Sequence, residues 1–285
     1  MTDIDLLSTV IHLQPAPELP PEDRPLPQWW GRAAHALLFQ VIQAADPALS
    51  AALHQANNLR PFTVSNLMGR MPQGKLDPAG IYRLRFTALR SDVAAILWQA
   101  QQKGGLLAAG SELELDRIHF GVVEAPEGSH PAAWQAAASY QALSSAHLLA
   151  GQAPERRVCL LFTSPAVFKT KGAMQPLPLP GMVFGSLLNR WNDFAPLALP
   201  AELRRYAEEC LLISRFNLRS RPAVLQENAL RVGAVGQVTC STINYDRYWM
   251  SLVHALAAFS LFAGVGTGTS MGLGQCRPCQ MKAKD

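Results

Sequence analysis

The segment Gly264-Val265-Gly266-Thr267-Gly268-Thr269-Ser270-Met271-Gly272-Leu273-Gly274 restricts the fold of this chain more than any other stretch, because five of its eleven residues are glycine. Glycines permit positive φ angles and a close approach of the backbone to a ligand. A dinucleotide fold needs the order strand, G-x-G-x-x-G, helix, whereas this glycine loop (residues 264–274) follows a predicted helix and precedes a predicted strand. A site for a nucleotide cofactor is therefore not expected here. A purely structural turn is the alternative, although turns seldom use so many glycines.

The elements around the glycine loop predict a mixed α+β domain. Apolar periodicity and turn residues give the order strand, helix, helix, strand, strand, helix, strand. The predicted elements are a strand from Arg157, helices at 182–191 and 202–210, paired strands at 211–217 and 232–244, a helix at 247–262 capped by Asp246, and a last short strand. Pro222 is expected to end the first strand of the pair.

The first half of the chain predicts a similar order of elements, β-α-β-β-α-β, which is typical of a ferredoxin-like domain. The predicted elements are a strand at 4–13, helices at 29–43 and 47–55, strands at 61–68 and 81–89, a helix at 93–102 and a strand at 113–123. Asp46 and Asp92 are predicted to cap the helices that they precede. Residues 81–89 alternate most clearly, with Arg83, Arg85 and Thr87 between apolar residues.

Length and composition agree with two domains. The chain has 285 residues, of which 49% are hydrophobic and 16% charged, so each half can bury a core of its own. Residues 124–154 look like a connector that contains a short alanine-rich helix. The sequence therefore predicts two ferredoxin-like domains in tandem, at 1–155 and 156–285.

Charge is distributed unevenly between these halves. Residues 1–155 hold 10 Lys and Arg against 14 Asp and Glu, whereas residues 156–285 hold 15 against 7. A basic half beside an acidic half is typical of a protein that binds a polyanion, since clustered Lys and Arg hold phosphates. A solvated basic surface is the alternative.

Cysteine usage and the N-terminus bear on the compartment. The five cysteines (Cys159, Cys210, Cys240, Cys276 and Cys279) are odd in number and scattered, which favours reduced thiols over a disulfide framework. No second C-x-x-C pair or neighbouring His completes a zinc site with Cys276 and Cys279. The acidic N-terminus lacks the basic region of a secretory signal, and no apolar run is long enough to span a bilayer. We expect a cytoplasmic protein without a cofactor, a metal or a membrane partner.

Four segments follow one another along the chain: residues 53–65, with Leu53-His54 and Arg60-Pro61-Phe62-Thr63; residues 162–169; residues 184–192, with Leu187-Leu188 and Arg190-Trp191; and the glycine loop. In this order they resemble the RAMP superfamily of CRISPR proteins, and within it the branch of endoribonucleases that process precursor RNA. Each motif is short, but together they span nearly the whole chain. The resemblance implies two ferredoxin-like domains that bind a CRISPR repeat RNA, in precursor and mature guide form, and cut it at one phosphodiester.

The resemblance also implies a catalytic centre. Cleavage without a metal needs a base for the 2′-hydroxyl proton, an acid for the departing 5′-oxygen and a cation for the developing charge, and it leaves a 2′,3′-cyclic phosphate. His54 is expected to be the general acid or base and Arg60 the phosphate clamp. His35 competes as a second catalytic histidine, although it could be a core residue. Relatives use a tyrosine in the first helix where this chain has Phe39, so the base stays unassigned.

Members of this family grip RNA with their second half, and the resemblance implies contacts in three places. The expected RNA-binding residues are Lys169 and Lys171, then Arg215, Arg219 and Arg221 on one face of an extended segment, and Gly264, Gly266, Gly268, Gly272 and Gly274 through their backbone N–H groups. Where many relatives carry a Lys or Arg in the loop, this chain has Thr267, Thr269 and Ser270.

Two other functions remain open at this stage. One is a non-catalytic RNA-binding subunit of a CRISPR effector complex, in which the histidines are structural. The other is a small-molecule enzyme that holds a phosphate cofactor on the glycine loop, which the missing fingerprint disfavours. Other effector subunits are possible partners in either of the RNA-binding cases.

Overall fold

The computed structural model describes residues 4–17, 26–55, 59–127, 131–225 and 230–280. The chain forms two compact units. The first comprises residues 1–137 together with Ser270–Gly272, and the second comprises residues 138–269 and 273–285. The tip of the glycine loop therefore belongs to the first unit, whereas the rest of the loop belongs to the second.

The first unit is built on an antiparallel sheet. Its strands are β1 (Leu6–Pro15), β2 (Phe62–Val64), β3 (Tyr82–Ala88), β4 (Glu112–Leu115), β5 (Ile118–Val123) and β6 (Ala136–Ala138), and its helices are α1 (Gly31–Ala45), α2 (Pro47–Gln55) and α3 (Ser91–Ala100). The strand order is β2-β3-β1-β5-β4, with β6 also paired to β1. With the β4–β5 hairpin counted as one position, this is the ferredoxin-like order.

The core of the first unit lies between the sheet and α1 with α3. Alternate residues of β1, Leu7, Ile11 and Leu13, share this core with Leu38 and Ile42 of α1. A strand places every second side chain on one face, and a helix brings residues four apart to one side, so the two periods meet in one apolar layer. This layer fixes α1, and with it the histidine that α1 carries.

The second unit repeats this arrangement. Its strands are β7 (Arg157–Ala166), β8 (Phe168–Thr170), β9 (Ala173–Gln175), β10 (Leu211–Val224), β11 (Leu230–Thr242) and β12 (Cys276–Pro278), and its helices are α4 (Tyr140–Leu148), α5 (Pro180–Phe194), α6 (Leu203–Cys210) and α7 (Arg247–Ala263). The main sheet has the order β10-β11-β7-β12, again the ferredoxin-like order, and β8 and β9 form a separate hairpin. The predicted α+β class with two ferredoxin-like domains is confirmed. Among the described helices, none combines the length and hydropathy that a bilayer span needs.

Two of the three predicted helix caps are present. The Asp46 carboxylate accepts a hydrogen bond from the Leu49 N–H at 2.9 Å, and that of Asp246 accepts one from the Trp249 N–H at 3.0 Å. Asp92 does not cap its helix, because α3 begins one residue earlier, at Ser91. Its carboxylate instead binds the guanidinium of Arg90.

Three strand predictions need correction. The stretch 113–123 is two strands joined by Asp116 and Arg117, which both have positive φ and form a tight hairpin turn. Pro222 does not end β10, which pairs with β11 through Pro222 opposite Val232 as far as Val224. A proline is tolerated there because β10 is an edge strand, so its missing N–H costs no hydrogen bond within the sheet. The polar residues Arg85 and Thr87 of β3 are both buried, since this strand is covered on both faces.

The division of the chain falls after Ala137, earlier than the expected boundary at 155. The reason is α4, which lies in the predicted connector but packs in the second unit. The ring of Tyr140 is 3% exposed and contacts Trp191 and Phe259, with ring centroids 5.0 and 5.7 Å apart. Burial of this aromatic cluster draws the alanine-rich helix into the second core.

The expectation that all cysteines are reduced is wrong. Cys159 of β7 and Cys279, which follows β12, form a disulfide. The two residues are 120 positions apart in sequence, but antiparallel pairing of β12 with β7 places their Cα atoms 5.2 Å apart. Sequence spacing could not reveal this pair, because only the sheet brings the two strands together.

Candidate functional site

Two histidines lie beside one phenylalanine in the first unit. The ring centroid of Phe39 is 4.2 Å from that of His54 and 4.9 Å from that of His35. Phe62 is the fourth ring of the group. Its centroid is 5.5 Å from that of His35 and 5.6 Å from that of Phe39. The structure thus brings the two candidate histidines, which are 19 positions apart in sequence, into one cluster.

Local sequence explains how this cluster forms. His35 and Phe39 are four residues apart on α1, so their side chains lie on the same side of the helix. Helix α2 follows after the single capping residue Asp46 and brings His54, in its last turn, back beside Phe39. Phe62 is fully buried on β2 and holds Phe39 in place. His54 is exposed, whereas His35 is half-buried.

The hydrogen bond of His35 fixes its tautomer. Its Nδ1 lies 2.9 Å from the backbone oxygen of Ser270, at the tip of the glycine loop. A carbonyl oxygen only accepts, so Nδ1 must carry the proton, and Nε2 of the neutral ring is left as a proton acceptor. Burial lowers the pKa of His35 most, the hydrogen bond to Ser270 opposes this, and the charges of Arg60 and His54 lower the pKa further.

Arg60 stands beside the same cluster. Its guanidinium carbon is 6.0 Å from the ring centroid of Phe39, and its Nη1 donates to the Leu53 carbonyl near the end of α2. This contact satisfies a carbonyl that the helix terminus leaves without a partner. Arg60 therefore both supports α2 and places a positive charge next to the histidines.

The glycine loop is bound to the rest of the second unit through its backbone N–H groups. All five glycines have positive φ. The N–H groups of Gly264, Gly266 and Gly274 donate to the carbonyl of Ser260, the hydroxyl of Ser186 and the carbonyl of Pro165. These three N–H groups therefore hold the loop. Gly272 is buried and forms a parallel bridge with Ser65, so Gly268 is the remaining candidate for the predicted RNA contact through a loop N–H.

Arg190 is a supporting residue of the loop to which the sequence analysis gave no role of its own. It is 4% exposed in α5, and its Nη2 donates to the Gly266 carbonyl at 2.6 Å. Ser186, one helical turn earlier, binds the N–H of the same residue at 2.8 Å. Burial lowers the pKa of Arg190 to about 10, with an opposing effect from Asp193, so the side chain is still charged at neutral pH. An arginine beside the apolar residues Leu187, Leu188 and Trp191 of α5 was the available signal.

The predicted arginines lie on one exposed strand face, as expected. Arg215, Arg219 and Arg221 all lie on β10 with the same parity, after a bulge at Ser214. Arg219 and Arg221 line a concavity of about 490 Å³ together with Asn217 and Gln237. We call this concavity the arginine groove. Arg215 lies outside it.

The two predicted lysines do not share a face in the way the sequence suggested. Lys169 lies on β8, whereas Lys171 lies in the turn to β9, where its φ is +47°. The alternation of side chains along the strand therefore ends at Thr170, the last residue of β8. Both side chains are exposed. Among the described residues, no three His, Cys, Asp or Glu side chains are grouped so that they could hold a metal ion.

Residues 160–276 match the family model of the CRISPR-associated endoribonuclease Cas6. A Cas6 product complex from Thermus thermophilus is 26% identical, with a TM-score of 0.76 over 96% of this chain and 99% of that one. A second Cas6 product complex is 24% identical, with a TM-score of 0.74 over 96% and 99%. A Cas6-related protein of Pyrococcus furiosus is 12% identical, with a TM-score of 0.54 over 98% and 100%. No curated protein matches the sequence.

Gly266→Ala is expected to destabilise the second unit more than Gly172→Ala does. Both glycines have positive φ, +73° and +82°, where an alanine costs about 1–2 kcal/mol. A Cβ at Gly266 would also overlap the Val167 carbonyl, whereas one at Gly172 meets nothing within 4 Å. The overlap should add about 2–3 kcal/mol, measured as the free energy of unfolding in denaturant. Equal losses in the two variants would show that the loop yields easily at Gly266.

Proposed function

We propose that this chain, whose residues 160–276 match the family model of the CRISPR-associated endoribonuclease Cas6, binds the repeat RNA of a CRISPR precursor transcript and cuts it to release guide RNA. The observation that carries this proposal is the cluster of His35, His54 and Arg60 around Phe39. It places two proton-transfer groups and one cation within 6.0 Å of the centroid of the Phe39 ring. These are the three groups that RNA cleavage by its own 2′-hydroxyl requires.

In this mechanism His35 is the general base. Its Nε2 is the acceptor atom, because Nδ1–H is engaged by the Ser270 carbonyl. Nε2 takes the proton of the 2′-hydroxyl, and the resulting oxygen attacks the neighbouring phosphorus. The lowered pKa keeps the ring unprotonated and ready at neutral pH. His35 thus takes the role of the base. The tyrosine that relatives use in the first helix is replaced here by Phe39, which has no hydroxyl to accept a proton.

His54 and Arg60 complete the reaction. With the acceptor role filled by His35, the proton for the departing 5′-oxygen falls to His54, which is exposed and can meet the RNA. Breaking of the P–O5′ bond leaves a 2′,3′-cyclic phosphate on one product and a 5′-hydroxyl on the other. Arg60 stabilises the negative charge that develops on the phosphate oxygens. The hydrogen bond from Arg60 to the Leu53 carbonyl fixes the position of the guanidinium group.

The arginine groove is the proposed grip on the RNA backbone. It presents Arg219 and Arg221 on an exposed sheet face, together with the hydrogen-bonding side chains of Asn217 and Gln237. Arginine guanidinium groups bind phosphates with two parallel hydrogen bonds. Lys169, Lys171 and Arg215 extend the exposed positive charge of the second unit, and the N–H of Gly268 in the glycine loop is a further candidate for contact.

A non-catalytic RNA-binding subunit is the second candidate. It is favoured by the main-chain contacts of two catalytic candidates, since His35 binds Ser270 and Arg60 binds Leu53. Groups held in this way could serve stability alone. The exposed position of His54 against Phe39 favours catalysis instead, because a structural role does not require it.

Cleavage is expected to persist in EDTA and to leave 2′,3′-cyclic phosphate and 5′-hydroxyl ends. The reason is that two imidazoles and a guanidinium supply all the proton transfers and charge stabilisation that the reaction needs. The end groups of the products can be read by phosphatase and kinase treatment of cleaved repeat RNA. Cleavage that starts only when magnesium or manganese is added would contradict the mechanism.

His54→Ala should slow single-turnover cleavage about 10²–10⁴-fold and leave RNA affinity within a few-fold of the parent. His35→Ala should cause a loss of the same order, since each histidine moves one proton. The base acts in its unprotonated form, and the pKa of His35 lies below 6.5, the ordinary value for a histidine. On the acidic side, the rate of the parent should therefore fall only below about pH 6.5.

The control for these variants is Gln40→Ala, an exposed position on the same helix as His35. Each variant must melt near the parent temperature, because loss of a half-buried histidine can inactivate a protein by unfolding. If both histidine variants bind RNA and cleave at the parent rate, neither is catalytic. If neither parent nor variants cleave bound repeat RNA, the non-catalytic subunit becomes the better description.

Replacing Arg215, Arg219 and Arg221 together by Ala should weaken RNA binding and flatten its dependence on salt. Each phosphate contact that is lost should lower the slope of log affinity against log salt by about 0.7–0.9. The double change at Arg219 and Arg221 should account for most of the effect, because only these two line the arginine groove. Arg215→Ala is the matched control on the same strand. A slope that stays constant in the triple variant would place the RNA elsewhere.

A further inference from the structure

A cavity in the second unit lies against the disulfide. Its volume is about 680 Å³, and its wall includes Cys159, Cys279, His147 and His254. Sites for small molecules typically measure about 300–1,000 Å³. The disulfide thus borders a space that a small molecule can enter, and none of these four residues has a role in the proposed RNA cleavage.

The two sulfur-bearing residues differ in accessibility. Cys159 lies on the central strand β7 and is 4% exposed. Cys279 follows the edge strand β12, is half-buried, and stands between the exposed residues Pro278 and Gln280. Access is one of the factors that decide which sulfur of a disulfide is attacked. A nucleophile that enters the cavity therefore reaches Cys279 before Cys159.

A hydrogen bond prepares Cys159 to leave. The side-chain Nε2 of Gln237, on the neighbouring strand β11, donates to the Cys159 sulfur at 2.9 Å. A donor to sulfur stabilises the charged thiolate more than the uncharged disulfide, and a better-stabilised thiolate departs faster. The greater accessibility of Cys279 and the stabilisation of the Cys159 thiolate therefore both favour attack on the sulfur of Cys279.

The cavity also contains groups that accept a proton. Nε2 of His254 lies 2.9 Å from the Glu155 carbonyl, so it carries the proton and Nδ1 is the acceptor atom of the neutral ring. Burial, and then the charge of His254, lowers the pKa of His147, which favours its unprotonated form near neutral pH. Arg157 and Glu155 add opposite charges to the wall. This lining suits a small polar molecule that carries charged groups.

We propose that this cavity is a thiol–disulfide exchange site, where a low-molecular-weight thiol attacks the sulfur of Cys279. A bond forms between the sulfur of the thiol and that of Cys279, the Cys159–Cys279 bond breaks, and Cys159 departs as the thiolate. The proton of the entering thiol passes to a cavity imidazole or to water. The small thiol is oxidised to a mixed disulfide and Cys159 is reduced, so electrons balance.

The test uses the oxidised full-length chain and glutathione as the probe. After brief incubation, acid quenching and alkylation, peptide mass mapping should find glutathione on Cys279 and an alkylated thiol on Cys159. In the urea-unfolded chain both sulfurs are accessible, so the adduct should divide between the two cysteines. The proposal is overturned if the native chain carries the adduct on Cys159 or on both alike. It is also overturned if the oxidised chain still titrates with five thiols, or if only a dithiol protein opens the disulfide.

A pair of variants tests the leaving-group step. Gln237→Met keeps the length of the side chain and removes the donor, and it should slow formation of the adduct about five-fold, the usual worth of one hydrogen bond. Gln152→Met makes the same change at an exposed position in the cavity wall and should leave the rate unchanged. Equal rates in Gln237→Met and the parent, with both folded by their melting curves, would show that the hydrogen bond does not direct the exchange.

Discussion

The left-handed backbone of the glycine loop is the constraint on which the site depends. Between α7 and β12 the chain must reverse so that β12 can pair with β7, and positive φ at five positions makes this possible. The same path carries Ser270 to His35, where its carbonyl decides which nitrogen of the ring keeps a proton. A loop that no longer adopted this path could not keep β12 paired with β7. It would also leave the tautomer of His35 undefined, and with it the direction of proton transfer.

Phe39 gives two histidines on different helices a common position. Its ring lies against both imidazoles and rests on the fully buried Phe62. The environments of the two histidines nevertheless differ, since His35 is half-buried and bound to backbone, and His54 is exposed. Such a difference lets one side chain accept a proton while the other meets the leaving group. A phenylalanine without a hydroxyl is sufficient at this position, because its role is to position the imidazole rings of His35 and His54.

Much of this fold could be predicted from sequence, because element order follows from local patterns. The periodicities of β1, α1 and α7 predicted those elements within two residues, and capping at Asp46 and Asp246 was confirmed. Three of the failures depended on tertiary contacts. The disulfide requires β12 beside β7, the place of α4 follows from the burial of Tyr140, and the path of β10 through Pro222 follows from its edge position. The roles proposed for His54 and His35 came from a motif and a resemblance. Their common position around Phe39 came only from the structure.

Arg190 shows why a costly residue can be retained at such a site. Burial of a guanidinium removes its hydration, which is why the pKa of Arg190 falls to about 10. An apolar side chain of similar size often gives equal or greater stability than a buried charge. Stability alone therefore does not explain the residue. An apolar side chain could not donate a hydrogen bond to the Gly266 carbonyl, as Arg190 does. The N–H of Gly266 is already bound by the hydroxyl of Ser186. With both polar groups of one glycine held by α5, the loop is fixed in register with the helix. The buried charge is thus best understood as the means of placing the loop, and through its tip the carbonyl that orients His35.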